Sequence, residues 1–112
     1  MPRYLVAIHH PDHYDPSSED ESMSRAIDLL NDQMVEAGAR VFVGGLQPAL
    51  QATSIRAQSS GEVTVTAGPY LATSEHMGGF WVLEAANLEE ALEWGRKAAL
   101  ACRAPVEVRQ FF

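Results

Sequence analysis

The central strands of this chain are apolar on both of their faces. In the segment Arg3 to His9, the residues Tyr4, Val6 and Ile8 form one apolar row, and Leu5 and Ala7 form the other. Gly79 to Glu84 repeats the arrangement, with Trp81 and Leu83 opposed by Phe80 and Val82. Successive side chains of a strand point to opposite sides of the sheet, so a sheet built from these segments has no side suited to water. A half-exposed antiparallel strand alternates apolar with polar residues instead. Both faces need a cover, and 112 residues supply one domain to provide it.

Two helical segments are available. Ser18 with Glu21 three residues later has the form of a capping box and predicts a helix from near Glu19. Its apolar stripe is Met23, Ile27, Leu30 and Met34, and Gly38 ends it. Arg40 to Gly44 reads as the second strand, stopped by Gly44-Gly45. Thr53 to Gln58 and Glu62 to Thr66 read as a hairpin around Ser59-Ser60-Gly61. After Gly79 to Glu84, Asn87 and Glu90 open a helix that runs to about Ala101 and carries Leu88, Ala91, Leu92, Gly95, Ala99 and Cys102 on one face. Val106 to Gln110, beyond Pro105, is the last strand. The order is α+β, and with the inserted β-hairpin set aside it is the split βαβ pattern of ferredoxin-like folds. Helices cover only one face of such a sheet. No segment remains for the other, so the pattern predicts a homodimer with sheets packed face to face.

Charge narrows the range of partners. The net charge is −7, from 8 basic and 15 acidic residues, and five of the acidic ones fall within Asp12 to Glu21. Binding to nucleic acid draws on phosphate neutralisation, so neither nucleic acid nor an anionic membrane is an expected partner. A single cysteine, Cys102, excludes an intramolecular disulfide and a multi-cysteine metal site; on its helix face it reads as buried and inert. No signal peptide is readable and no apolar run approaches a bilayer span, so the expected location is cytoplasmic. No glycine-rich nucleotide motif occurs, and no cofactor is expected.

The stretch Val65 to Phe80 contains a Gly68-Pro69 turn followed by Tyr70, then Glu75-His76 and the pair Gly78-Gly79. It resembles the signature of YCII-related proteins of the DGPF type, in which an Asp-Gly-Pro-Phe turn precedes a Lys-Glu pair and two glycines. Further matches follow in order at Arg3-Tyr4-Leu5, Ala37-Gly38, Gly45-Leu46, Ala52-Thr53, Glu90 to Trp94 and Val106 to Arg109. On these the chain is identified as a member over residues 1–112. The resemblance implies a ferredoxin-like dimeric α-β barrel with a cleft between the sheet and the first helix. In the better-described branch a His–Asp pair is associated with an unidentified reaction, its histidine on the first helix. The matching position here is Ile27, so that pair does not carry over. Ala67, Ala72 and Ser74 likewise occupy polar positions of the signature.

The candidate site residues come from three places. His9-His10-Pro11-Asp12-His13-Tyr14-Asp15 concentrates imidazoles and carboxylates, but its spacing matches no metal motif, and no metal is expected. Among its histidines His9, at the exit of the first strand, is the acid–base candidate. Glu75 and His76 place a carboxylate beside an imidazole after the turn and complete the catalytic candidates. Tyr70, on the same wall as Glu75, and Arg109, a carboxylate clamp in the last strand, are the ligand-binding candidates. The two glycine pairs read as sites of close strand packing. Together these suggest a domain that binds a small ligand or serves a regulatory role. The alternative is a small cofactor-free enzyme acting on an organic acid or carbonyl compound by general acid–base chemistry.

Overall fold

The computed structural model describes residues 1–112. β1 (Arg3–Pro11), α1 (Glu21–Glu36), β2 (Arg40–Gly45), the hairpin strands β3 (Thr53–Ala57) and β4 (Val63–Ala67), β5 (Glu75–Glu84), α2 (Leu88–Cys102) and β6 (Val106–Gln110) follow in that order. Four strands form one antiparallel sheet in the order β2-β5-β1-β6, and β3 and β4 form a separate two-stranded sheet. β5 thus lies between β2 and β1, and β1 between β5 and β6. This is the ferredoxin-like α+β topology, with the hairpin inserted as expected.

The helix starts show how local chemistry sets boundaries. α1 begins two residues later than the Ser18–Glu21 box predicts. The Ser18 hydroxyl is already donated to the Asp15 carbonyl at 2.6 Å within a short 3-10 turn, Pro16–Ser18. Asp20 caps instead, accepting from the Met23 amide at 2.8 Å, and a charged acceptor suits the positive helix end. At the other end Gly38 adopts φ +70°, the Ala39 amide reaches Met34 O and the Gly38 amide reaches Val35 O. This Schellman arrangement needs the left-handed conformation that glycine takes without strain. Asn87 caps α2 through the Glu90 amide, and the Glu90 carboxylate reaches back to the Ala86 amide.

The core lies between the helices and one face of the large sheet. Val6, Ile8, Trp81 and Leu83 from the strands meet Leu30 and Met34 of α1 and Ala98, Ala101 and Cys102 of α2. α2 packs through small residues; Leu88 and Leu92, expected on its buried face, are 52% and 37% exposed. A Cβ at Gly95 would stand 2.7 Å from Val108 Cγ2, so the helix lies nearly on β6. The opposite sheet face carries Leu5 and Ala7 beside Phe80 and Val82, with Phe42 of β2 against Phe80 at a ring separation of 5.9 Å. No helix covers it. The hairpin stands apart as an arm, and the radius of gyration is 16.1 Å against about 13 Å for a compact chain of this length. No helix is long and apolar enough to cross a membrane.

Candidate functional site

One extra residue shapes the site. Ile8 pairs with Gly79, but the next residue, His9, pairs with Met77. Gly78 is therefore a β-bulge in β5, two residues standing opposite one. Cross-strand partners share a face, so from Gly78 outward the alternation of β5 is inverted. His10 and His76 become partners on the helix side, the side of Ile8 and Trp81. A Cβ at Gly78 would lie 2.1 Å from His10 Cδ2; the bulge is a glycine because the His10 ring occupies that space.

Two adjoining cavities meet at this ring. One, about 230 Å³, lies between the ends of β1, β2 and β5 and the segment before α1, with Asp12, Tyr14, Leu46 and His76 in its wall. The other, about 220 Å³, runs between the sheet and α1, past Met23, Asn31, Trp81 and Cys102. His10, Glu19, Gly45 and Gly78 line both. The Tyr14 amide donates to Pro11 O at 3.0 Å, and this turn folds Tyr14 back onto His10 with ring centroids 3.8 Å apart and planes within 3°.

The electrostatics follow from burial. Desolvation lowers the pKa of His10 below 6.5, with Glu19 opposing and His9 adding to the shift, so the ring is a neutral base at pH 7. The Tyr14 hydroxyl is a buried side-chain polar atom with no hydrogen-bond partner. Burial first, and then a side-chain hydrogen bond toward the Glu19 carboxylate, push its pKa up to about 12, so it keeps its proton; Glu19 is the acceptor nearest that proton but makes no well-formed bond to it. Burial likewise raises the Cys102 thiol to about 11, leaving it unreactive at neutral pH. Asn31 fixes the far wall, its amide oxygen accepting from Trp81 Nε1 at 2.9 Å and from Arg40 at 3.2 Å. Neither cavity is lined by a lysine or arginine.

At the outer lip His76 Nδ1 lies 2.7 Å from Asp12 Oδ1, and its Nε2 lies 3.0 Å from Leu71 O and 3.1 Å from Thr73 Oγ1. The Thr73 hydroxyl donates its own proton to Glu75 O at 2.7 Å. Both ring nitrogens therefore face acceptors. The Leu71 carbonyl first, then Asp12, raise the pKa of His76 above its ordinary value, against some desolvation.

The expected residues are dispersed. His76 joins the cleft. Glu75, read from the sequence as a loop residue, is the first residue of β5; it is exposed and lines neither cavity. His9 also lines neither; its charge acts on Glu107 of β6, which is paired with Ala7 on the helix-free face. Arg109 is on that face too, opposite Leu5 and bonded to Glu107, whose pKa it lowers. Tyr70 is 63% exposed at the arm, its hydroxyl accepting from Arg56 at 3.0 Å with the guanidinium over its ring. Glu19 and Asn31 were not singled out, and His10 and Tyr14 stood in the His9 to Asp15 cluster from which only His9 was put forward. His10 was legible, since it shares the parity of Val6 and Ile8; the Tyr14 turn was not. No group of three or more His, Cys, Asp or Glu side chains is gathered as a metal site.

Comparison with known proteins adds two findings. The profile of the YCII-related domain matches residues 1–112. An "Uncharacterized protein R00369" from Rhizobium meliloti (strain 1021) is 37% identical over 78 residues, which are 70% of this chain and 62% of that protein. The match thus spans under two thirds of that relative's length.

Proposed function

The chain belongs to the YCII-related domain family, and on that premise we propose that it binds a small, uncharged, oxygen-bearing organic molecule in the cleft at His10 and Tyr14. The observation that carries this reading is the buried Tyr14 hydroxyl, which makes no well-formed hydrogen bond and has the Glu19 carboxylate as its only competitor for a ligand oxygen. A buried donor left unpaired costs about 1–3 kcal/mol, and a ligand carbonyl or hydroxyl oxygen would recover it. The His10 ring, which makes no side-chain hydrogen bond within the chain, offers a complementary acceptor. An anionic ligand fits poorly, because the wall holds Asp12 and Glu19 and both ring nitrogens of His76 already face acceptors within the chain.

A second reading follows from the pairing of a neutral imidazole with a protonated phenol. His10 would take a proton from the carbon next to a ligand carbonyl while Tyr14 donates a hydrogen bond to the oxygen, and return of that proton completes an exchange with no net redox change. The domain in either reading is a homodimer, the helix-free faces meeting around a two-fold axis. Arg3 with Glu84 and Arg109 with Glu107 leave the rim of that face electrically neutral on a chain of charge −7, so two copies can approach there without repulsion.

A panel of small ketones, amides and lactones, with the matching carboxylates alongside, tests the site by NMR. Neutral members are expected to shift the His10 and Tyr14 ring signals, with binding weakened about tenfold in Tyr14→Phe, as for the loss of one hydrogen bond. Carboxylates binding as well as their neutral counterparts, or no member perturbing these rings, would refute the reading. Deuterium uptake at the α-carbon of a bound ketone in D2O, lost in His10→Gln, would establish the catalytic version.

A further inference from the structure

We infer that His76 is a proton-operated latch on the lip of this cleft, closed by an imidazolium and released when that ring becomes neutral. The inference deepens the ligand-site reading, since it concerns access to the same cavity, but its geometry stands without a ligand. The carboxylate of Asp12 and the carbonyl of Leu71 can only accept, and the Thr73 hydroxyl has its proton committed to Glu75 O. Filling both ring positions therefore takes two N–H groups, which only the doubly protonated ring possesses. Neutral His76 keeps one. Either the Asp12 contact or the Leu71 contact then becomes two lone pairs facing each other.

The two contacts join parts of the chain that have few other ties. On one side is Asp12, just past the end of β1, in the wall of the cavity. On the other is the exposed stretch Leu71 to Ser74 that leads from the arm into β5. Besides His76, one backbone bond ties the two, from the Asp12 amide to Ser74 O at 3.0 Å. The His76 ring is largely enclosed, with 18% of its side chain exposed, so water replaces a lost partner poorly. The ionisable groups facing it are Asp12, and His10 as its partner on β1. His10, held neutral, does not oppose the charge. Glu75 follows the same stretch but takes part through its backbone carbonyl alone.

The direction of the pH effect is fixed by the sign of the shift. His76 binds its proton more tightly in the latched state than when free, where its pKa is near 6.5. The latch is thus fully closed below 6.5 and weakens as pH rises from there through the raised value. One proton is involved, so opening increases by up to about tenfold per pH unit across that window and levels off outside it.

Two measurements on the intact chain, with no ligand, test this. Long-range ¹H–¹⁵N spectra of the imidazoles should show His76 protonated on both nitrogens at pH 6.5, with its titration above that pH. Protection of the amides from Leu71 to His76 against hydrogen exchange, corrected for the intrinsic rate, should fall across the same titration. Asp12→Asn should lower the His76 pKa and that protection together, while His13→Gln, at an exposed position of the same loop, changes neither. A single neutral tautomer at pH 6, or protection independent of pH while His76 titrates, would overturn the latch. Loss of ligand binding in Tyr14→Phe with these two readouts intact supports the latch and bears on the ligand site alone; a normal ligand site with a flat exchange profile refutes the latch alone.

Discussion

β6 of the body and β3 of the arm are both five residues long, yet Val106 and Val108 of β6 are half-buried against the core, while every apolar residue in the strands of the arm is exposed. β6 lies against α2, and β1 backs it across the sheet. β3 has one neighbour strand and no helix. Its hairpin sorts cleanly, with Ile55, Val63 and Val65 on one side and Ser54, Arg56, Thr64 and Thr66 on the other, but the apolar side is open, those three residues being 66%, 57% and 65% exposed. A two-stranded hairpin alone is marginally stable in water. The contrast teaches that amphipathic patterning shows which face wants cover, and that cover has to come from further structure. For the arm, as for the helix-free face, the proposed source is a second copy.

The largest effects should separate body from arm. Leu83→Ala, at a fully buried position, is expected to cost about 2–5 kcal/mol in denaturant unfolding. Ile55→Ala should change unfolding of a dilute, monomeric sample by no more than about 0.5 kcal/mol, and lower the affinity between copies instead. Sedimentation of the native chain should give twice the 12.2 kDa chain mass, and Ile55→Asp with Phe42→Asp should return it to one chain. An Ile55→Ala variant as unstable as Leu83→Ala in dilute solution would erase the distinction.

A smaller effect sharpens it. Gly95→Ala places a methyl against the stiff Val108 side chain and should cost about 1–3 kcal/mol through overpacking. Gly61→Ala, at the arm's tip with open space around its Cβ, bears only the strain of φ +92°. Thermal melts of the two variants should rank them in that order, and equal losses would mean that backbone strain at the arm's tip weighs as much as overpacking of α2 on β6.

The smallest effect is electrostatic and belongs to the body. The Met23 amide first, then Ser22 and Arg103, hold Asp20 at about 2, below the ordinary 3.8. A depressed carboxylate stabilises the fold above its unfolded value and loses that contribution as pH falls toward 2. The melting temperature should therefore decline in this range, less steeply in Asp20→Asn. A parallel decline in the variant would assign the acid sensitivity to other groups.

Much of the fold was legible because its signals are local. The Met23–Met34 stripe, the Gly38 cap, the Asn87 box and the Ser59-Ser60-Gly61 turn each depend on residues within a few positions of one another. The Ser18 box failed for a local reason too, a competing acceptor three residues upstream. The site was less legible because its pairs are distant. His76 and Asp12 are 64 residues apart, and nothing in either segment marks the other.

Which side chain enters the cleft was decided by a single residue. Counted from Trp81, strict alternation directs Met77 and Glu75 to the helix side and His76 away from it; Glu75 and His76 were both expected site residues, and only His76 joins the cleft. The sequence alone determined that Gly79 to Glu84 is a strand, that Trp81 and Phe80 face opposite ways, and that a histidine and a carboxylate stand beside each other shortly before it; that the strand already begins at Glu75 was decided by its pairing with β1. The bulge at Gly78 then inverted the order. A period-two pattern has no memory across an inserted residue, so one unpaired glycine exchanges the two faces of everything beyond it. That glycine is held there by the His10 ring of a neighbouring strand, a contact that exists only once the sheet has formed.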